Sequence, residues 1–317
     1  MLGFRASSAN RQLMSPVMTP RHRPTARGFL LLCLLLLTAG AGSAWGQPTP
    51  AASSEAATVP RLVFPLVGAV TFGDDFGDPR GQGLHEGIDI MAPRNAPVLA
   101  VEAGTVKFWT TSWRAGCMLY LNGESGTTYN YIHLNNDLGD ENDNRGTCVP
   151  GVAYAKGLKN GAKVAAGQLI AYNGDSGDAD GIHPHLHFEV HPGGTGLVNP
   201  YKHLLRARRL LFTAERGSTF TLALTGRVAG AAGQELALQL DQVRQWPGGR
   251  KVVQSGQKVS VAVPETATIE GPLPTPALEL LTSGLTVTVW TAPAKVTLAA
   301  QTGTPGTLAA QRVVVKK

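Results

Sequence analysis

The chain is poor in cysteine, aromatic residues and charge: 317 residues hold three cysteines, 6% aromatic and 16% charged side chains. Three cysteines are too few for a disulfide-stapled scaffold, and a chain this long can bury conventional cores without one. None of them belongs to a Cys-x-x-Cys pair, which argues against zinc held by thiolates. No apolar run reaches the roughly 20 residues that a membrane-spanning helix needs. Helical periodicity is missing between residues 61 and 190, and histidine is missing beyond His203. The last third of the chain therefore offers no imidazole chemistry.

A basic excess is also lacking once the N-terminus is set aside. Arg21, Arg23 and Arg27 precede the apolar run Phe29 to Leu37, and small residues follow through Ala44. That order predicts a signal peptide over 1–46, followed by a flexible Ala-, Ser-, Thr- and Pro-rich spacer over 47–60. The formal net charge is +6, but residues 1–44 carry five arginines and no acid. The remainder is near +1, so nucleic acid is not an expected partner. Residues 45–205 hold 10 basic and 16 acidic residues, and residues 206–317 hold 13 and 6. Opposite signs in the two halves predict different partners, or units that attract each other. An exported chain loses Cys33 with its leader, which leaves Cys117 and Cys148 to form one disulfide worth about 3–4 kcal/mol.

What is present is a series of short apolar–polar alternations broken by Gly, Asp and Pro. Leu62 to Val67, Thr105 to Trp109, Met118 to Leu121 and Lys163 to Tyr172 are examples. They predict an all-β fold. After a short basic linker at 201–209, a second β-rich region, sandwich or barrel-like, is expected over 206–317. Residues 135–160 interrupt the first region with the polar run Asn135 to Gly146. Its acidic residues do not follow the EF-hand order, so a solvated insertion tethered by the disulfide is expected over a calcium loop.

Three segments concentrate ligand chemistry. His85-Glu-Gly-Ile-Asp89 offers an imidazole and a carboxylate, His133 follows an aromatic strand, and His185-Leu-His187-Phe-Glu189 places two imidazoles on one strand face. Two imidazoles and a carboxylate with a position left open suit catalytic zinc. Within these segments, Glu189 either orients the His187 ring or closes a strand-end ion pair. His183 is expected on the rim and Tyr129 along a groove, with Asn95 as a further candidate and Tyr131 placed either there or in the core. His191 and His203 have no expected catalytic part.

These segments resemble the lysostaphin-type zinc endopeptidases, which cleave peptide cross-links of bacterial cell walls. The resemblance rests on His85-Glu-Gly-Ile-Asp89, Tyr129-Asn-Tyr-Ile-His133-Leu, Gly161-Ala-Lys-Val-Ala-Ala-Gly-Gln168, Asn173-Gly-Asp-Ser176-Gly and Pro184-His-Leu-His-Phe-Glu189, all in the family's order over residues 61–200. It implies a small antiparallel β-sheet domain of the duplicated-hybrid-motif fold, over 61–205, with a narrow groove walled by loops. It implies one Zn²⁺ held by His85, Asp89 and His187. His185 and His133 become the catalytic pair, with His185 as base and His133 steadying the oxyanion, or the reverse. The implied activity is that of an exported zinc metalloendopeptidase of the periplasm, envelope or exterior, acting on peptidoglycan stem or bridge peptides. The basic C-terminal region invites docking on anionic wall polymers. The alternative is a non-catalytic relative that binds the wall or activates other hydrolases, and the intact ligand set weighs against it.

Overall fold

The computed structural model describes residues 58–316 apart from 82, 110, 111 and 255, all within one compact unit. The expected leader and most of the expected spacer lie outside the described residues. Among the described residues no helix is long and apolar enough to cross a membrane.

The first region carries β1 (Pro79–Arg80), β2 (Gly83–Leu84), β3 (Ile88–Met91), β4 (Pro97–Leu99), β5 (Gly104–Trp109), β6 (Cys117–Gly123), β7 (Thr128–Leu134), β8 (Lys163–Val164), β9 (Leu169–Tyr172) and β10 (His185–His191). Six of these form an antiparallel sheet in the order β3-β10-β7-β6-β5-β8. One face is closed by Ile88, Ile90, Leu119, Leu121, Tyr129, Tyr131, Leu186, Phe188 and Val190, all fully buried. Alternation along β10 sends His185, His187 and Glu189 to the other face, so the central strand is apolar toward the core and ionisable toward the groove.

Helix α1 (Tyr201–Arg206) leads into the second region: β11 (Thr219–Ala232), β12 (Glu235–Trp246), β13 (Arg250–Val253), β14 (Lys258–Ala262), β15 (Thr268–Glu270), β16 (Thr286–Thr291), β17 (Ala294–Lys295), α2 (Leu298–Thr302) and β18 (Ala310–Val315). The strands run in the order β13-β12-β11-β16-β18-β15, with β14 on β12 and β17 on β11. A one-residue bridge between Ala262 and Ala309 draws β14 toward β18, so the sheet curls toward closure around its own apolar core of Leu222, Leu238, Val261, Val289 and Val313. Both regions are β-rich, as the short alternations predict. A small third cluster of Val63, Val67, Leu99 and Leu210 packs with Val252 and Leu298 where the two regions meet.

Candidate active site

The β-register sets the pairing at the site. On β10, His187 stands opposite Asp89 of β3 on one side and Ile132 of β7 on the other. His85 enters from the turn before β3, fixed by its own amide donating to Asp78 O and by its carbonyl accepting from Gly77 N. Three donor atoms converge: His85 Nε2 lies 2.9 Å from His187 Nδ1 and 3.1 Å from Asp89 Oδ1, and His187 Nδ1 lies 3.0 Å from Asp89 Oδ1. Ligands about 2.05 Å from a tetrahedral zinc stand about 3.3 Å apart, so this near-equilateral triangle fits such an ion. These are the three residues able to hold a metal among those described.

Gly87 is required by the packing of this triangle. A Cβ there would lie 2.7 Å from His187 Nε2 and 2.6 Å from Phe188 O, so any larger residue would push the ring out of place. The glycine of the His85 motif therefore serves a ligand that is about 100 residues away in sequence.

Residues 83–144 match peptidase family M23. The match includes His85, Asp89 and His133, and the fold adds His187 to them. The chain carries a segment similar to the M23 peptidases. Over 150 residues it is 33% identical to an L-Ala--D-Glu endopeptidase of Bacillus subtilis (strain 168), an alignment of 42% of this chain and 39% of that protein. The chain thus spans well under half the length of this relative. The catalytic domain of the antimicrobial peptidase lysostaphin from Staphylococcus simulans is 25% identical, with 43% of this chain and 92% of that one aligned and a TM-score of 0.33. A zinc-containing peptidase from Vibrio cholerae is 26% identical, with 44% and 39% aligned and a TM-score of 0.32.

Outer contacts hold each candidate ligand. His85 Nδ1 donates to Asp75 O at 2.8 Å, which leaves Nε2 for the metal. The Asp75 carboxylate accepts from Asp89 N and from Arg80 Nη2, and the same Arg80 nitrogen reaches Asp89 Oδ2 at 3.0 Å. Burial and the neighbouring Asp89 charge raise the Asp75 carboxyl. Burial would raise Asp89 too, but hydrogen bonds from His187 and His85 hold it well below the usual carboxylate range. Glu189 Oε1 accepts from His187 Nε2 at 3.0 Å, while Oε2 meets His191 Nε2 at 2.8 Å and Asn130 Nδ2 at 2.5 Å. Burial opposes ionisation of both partners, yet this contact and Asp89 lift metal-free His187 to about 9, and hydrogen bonds from His187 and His191 bring Glu189 to about 2. Asp75, Arg80 and Asn130 escape a reading of sequence because their parts depend on chain reversals that bring distant polar residues together.

The other two imidazoles stand beside the triangle, their ring centroids 5.0 Å apart. His133 Nδ1 donates to Ser176 O at 2.8 Å and His185 Nδ1 to His183 O at 3.0 Å, so each ring turns Nε2 toward the groove. Burial and the His185 charge lower His133 to about 4. His133 sits at φ 61°, where two residues of β7 oppose one of β6. This β-bulge interrupts the alternation and re-aims the side chain. Tyr129 and Tyr131 keep the alternation and point into the core. Tyr129, expected along the groove, is instead fully buried, with its hydroxyl on Glu102 Oε2.

The groove encloses about 690 Å³, lined on its rim by Arg80, Leu84, Arg114, Asp178, Ile182 and His183. His183 thus lies on the rim, exposed. Asn95 is turned elsewhere, its Nδ2 donating to Gly139 O of the insertion. The expected disulfide joins Cys117 and Cys148. It ties the start of β6 to the polar insertion, which Arg94 clamps by pairing with both Asp137 and Asp175. Asn142 and Asn144 also donate to Asp180, so the insertion braces the loop that carries the groove residues Asp178, Ala179 and Ile182.

Proposed function

We propose that the chain is an exported zinc metalloendopeptidase that hydrolyses peptide cross-links of bacterial peptidoglycan. The observation that carries this reading is the juxtaposition of a three-donor triangle, His85, Asp89 and His187, with two imidazoles whose Nε2 atoms face the same groove. The M23 match and the endopeptidase relative support the substrate class.

A bound zinc ion supplies Lewis acidity, polarising a carbonyl and acidifying water. The protein's residues do the rest. His185, with Nδ1–H committed to His183 O, offers its Nε2 lone pair as the base that takes the attacking water's proton and passes it to the leaving amine. His133, neutral at rest with Nδ1–H committed to Ser176 O, donates to the tetrahedral oxyanion only after its Nε2 has taken a proton from solvent, to which it returns that proton when the oxyanion collapses. Asp178 Oδ1, 3.8 Å from its Nε2, favours that charged form. Glu189 and Asp75 hold the ligand rings in one tautomer, and Arg80 occupies the outer oxygen of Asp89 so that Oδ1 faces inward. The insertion acts on the groove at one remove, by holding Asp180 in the loop whose Asp178, Ala179 and Ile182 line it.

The test is mass spectrometry of fragments released from peptidoglycans of several cross-link types by the zinc-loaded chain, with His187→Ala as control. Zinc-dependent loss of one cross-link class establishes the reaction and names the bond. Release that persists in His187→Ala, or no release despite bound zinc, would overturn it, the latter in favour of a non-catalytic wall protein.

A further inference from the structure

The outward face of the C-terminal sheet carries a feature with no part in the groove chemistry. Leu222, Leu224, Val243, Val287 and Val289 point into the core. The residues between them point out: Thr221, Ala223 and Thr225 on β11, Gln242, Arg244 and Trp246 on β12, Thr288 and Trp290 on β16. The register sets Trp246 against Thr221 and Trp290 against Ala223. Across the strand between them the two indoles stack, centroids 5.2 Å apart and planes 30° apart. Trp290 remains 38% exposed, and Ala223 beside it leaves a low floor.

Polar groups frame this aromatic pair. One cross-strand row runs Lys251, Arg244, Ala223, Trp290, Arg312. Arg312 is paired with Glu270, whereas among the described residues Lys251 and Arg244 form no ion pair. Thr225 and Thr288 bond to each other across the strands. On β13 the side chains alternate between this face and the first region: Val252 packs at Gly68 and Arg250 reaches Asn95 O, while Lys251 and Val253 face out.

We propose that this face binds the glycan strands of the cell wall, with Trp246 and Trp290 as the stacking platform. Indoles held at a solvated surface leave apolar area in water, and Trp and Arg are the residues that most often anchor interfaces. A sugar ring offers one C–H face to the negative π surface and hydroxyls at its edge to threonine, amide and cationic donors. Two indoles flanked by the Thr225–Thr288 hydroxyls and the Arg244 and Lys251 cations match a sugar chain better than an apolar peptide. The excess of 13 basic over 6 acidic residues in 206–317 matches a polymer that also carries carboxylates on its peptide stems. The choice of wall glycan over another polysaccharide rests on the proposed function.

The test is co-sedimentation of the full chain with insoluble peptidoglycan stripped of secondary polymers, run beside cleavage of a short soluble cross-link peptide. Trp246→Ala and Trp290→Ala should each weaken sedimentation by roughly tenfold and leave peptide cleavage unchanged. Arg244→Ala with Lys251→Ala, which leaves the core intact, should weaken it by a smaller factor, and circular dichroism checks that each variant is folded. Soluble N-acetylglucosamine oligomers should compete with the wall. Wild-type protein that sediments in a Trp-dependent way without cleaving peptide would sink the hydrolase reading and keep this one. Folded Trp variants that sediment like wild type, or competition by a glycan-free polyanion and not by the oligomers, would overturn the platform.

Discussion

Replacing Glu189 with Gln changes one charge and almost no volume, at a side chain only 7% exposed. The carboxylate accepts from His187, His191 and Asn130. A carboxamide has one acceptor oxygen, so one of these donors must face its NH₂ group. If that donor is His187, the ring loses the contact that fixes Nδ1 toward the metal. If it is the Asn130–His191 side, two donors crowd a third. In both cases the site also loses an anion adjacent to a ligand ring. Changes to such orienting contacts cost about 10–100-fold in metal affinity, or about 1.4–2.7 kcal/mol. A buried donor left without a partner adds about 1–3 kcal/mol to the loss of metal-free stability. Each kcal/mol lowers Tm by roughly 2–4 °C for a chain of this size. Chelator competition gives the zinc Kd, and thermal melts of metal-free protein give the second number. A Kd within about twofold of wild type, alongside a lowered Tm, would refute the orienting role and leave Glu189 as a strand-end ion pair.

Three further outcomes follow from the same geometry. The metal-free protein should be most stable near pH 6.5. His187, raised from 6.5 to about 9, contributes stability below pH 6.5 that is lost as pH rises through 9. His133, lowered from 6.5 to about 4, resists a proton that the unfolded chain accepts, so stability falls as pH drops through that interval. Glu189, lowered from 4.5 to about 2, adds a further loss below pH 4.5. Melts of chelator-treated protein across pH would show this maximum, and one displaced above pH 8 would contradict it, about 1.5 units from the expected position. Gly87→Ala should lose zinc before it loses fold, because its Cβ meets the His187 ring; the overpacking cost is about 1–3 kcal/mol, and isothermal titration of folded protein reads the metal loss. Replacing Cys117 and Cys148 together with Ala should cost about 3–4 kcal/mol by freeing a loop of 31 residues, seen as a lowered denaturation midpoint at unchanged zinc affinity.

The segments that carry the triangle were legible in the sequence because each is local, while the choice of His187 over His185 came from the family resemblance. His85 and Asp89 share one short segment, His187 sits at period two from His185, and β-strand geometry converts that spacing into a common face. Tyr129 marks the limit of that rule: alternation alone puts Tyr129, Tyr131 and His133 on one face, yet Tyr129, expected along the groove, lies in the core. The structure separates them by a bulge at His133, and nothing in the composition of that strand announces where its register slips. The Arg94 clamp was hidden for a different reason. Its partners lie 43 and 81 residues away, and opposite charges at such separations are unremarkable until the fold makes them buried neighbours.

The second coordination layer follows the same logic. Asp75 looks like one acid in a polar turn, yet its carbonyl fixes a ligand tautomer and its carboxylate shares Arg80 with Asp89. Metal ligands announce themselves because only a few side chains can bind the ion. The residues that orient them are drawn from all donors and acceptors, the backbone included, so residue type carries little information about them and spatial position carries nearly all. In this chain, therefore, the candidate ligands sit in three short motifs, while the tuning of the site sits in contacts that form only once β1, β2, β3 and β10 have come together.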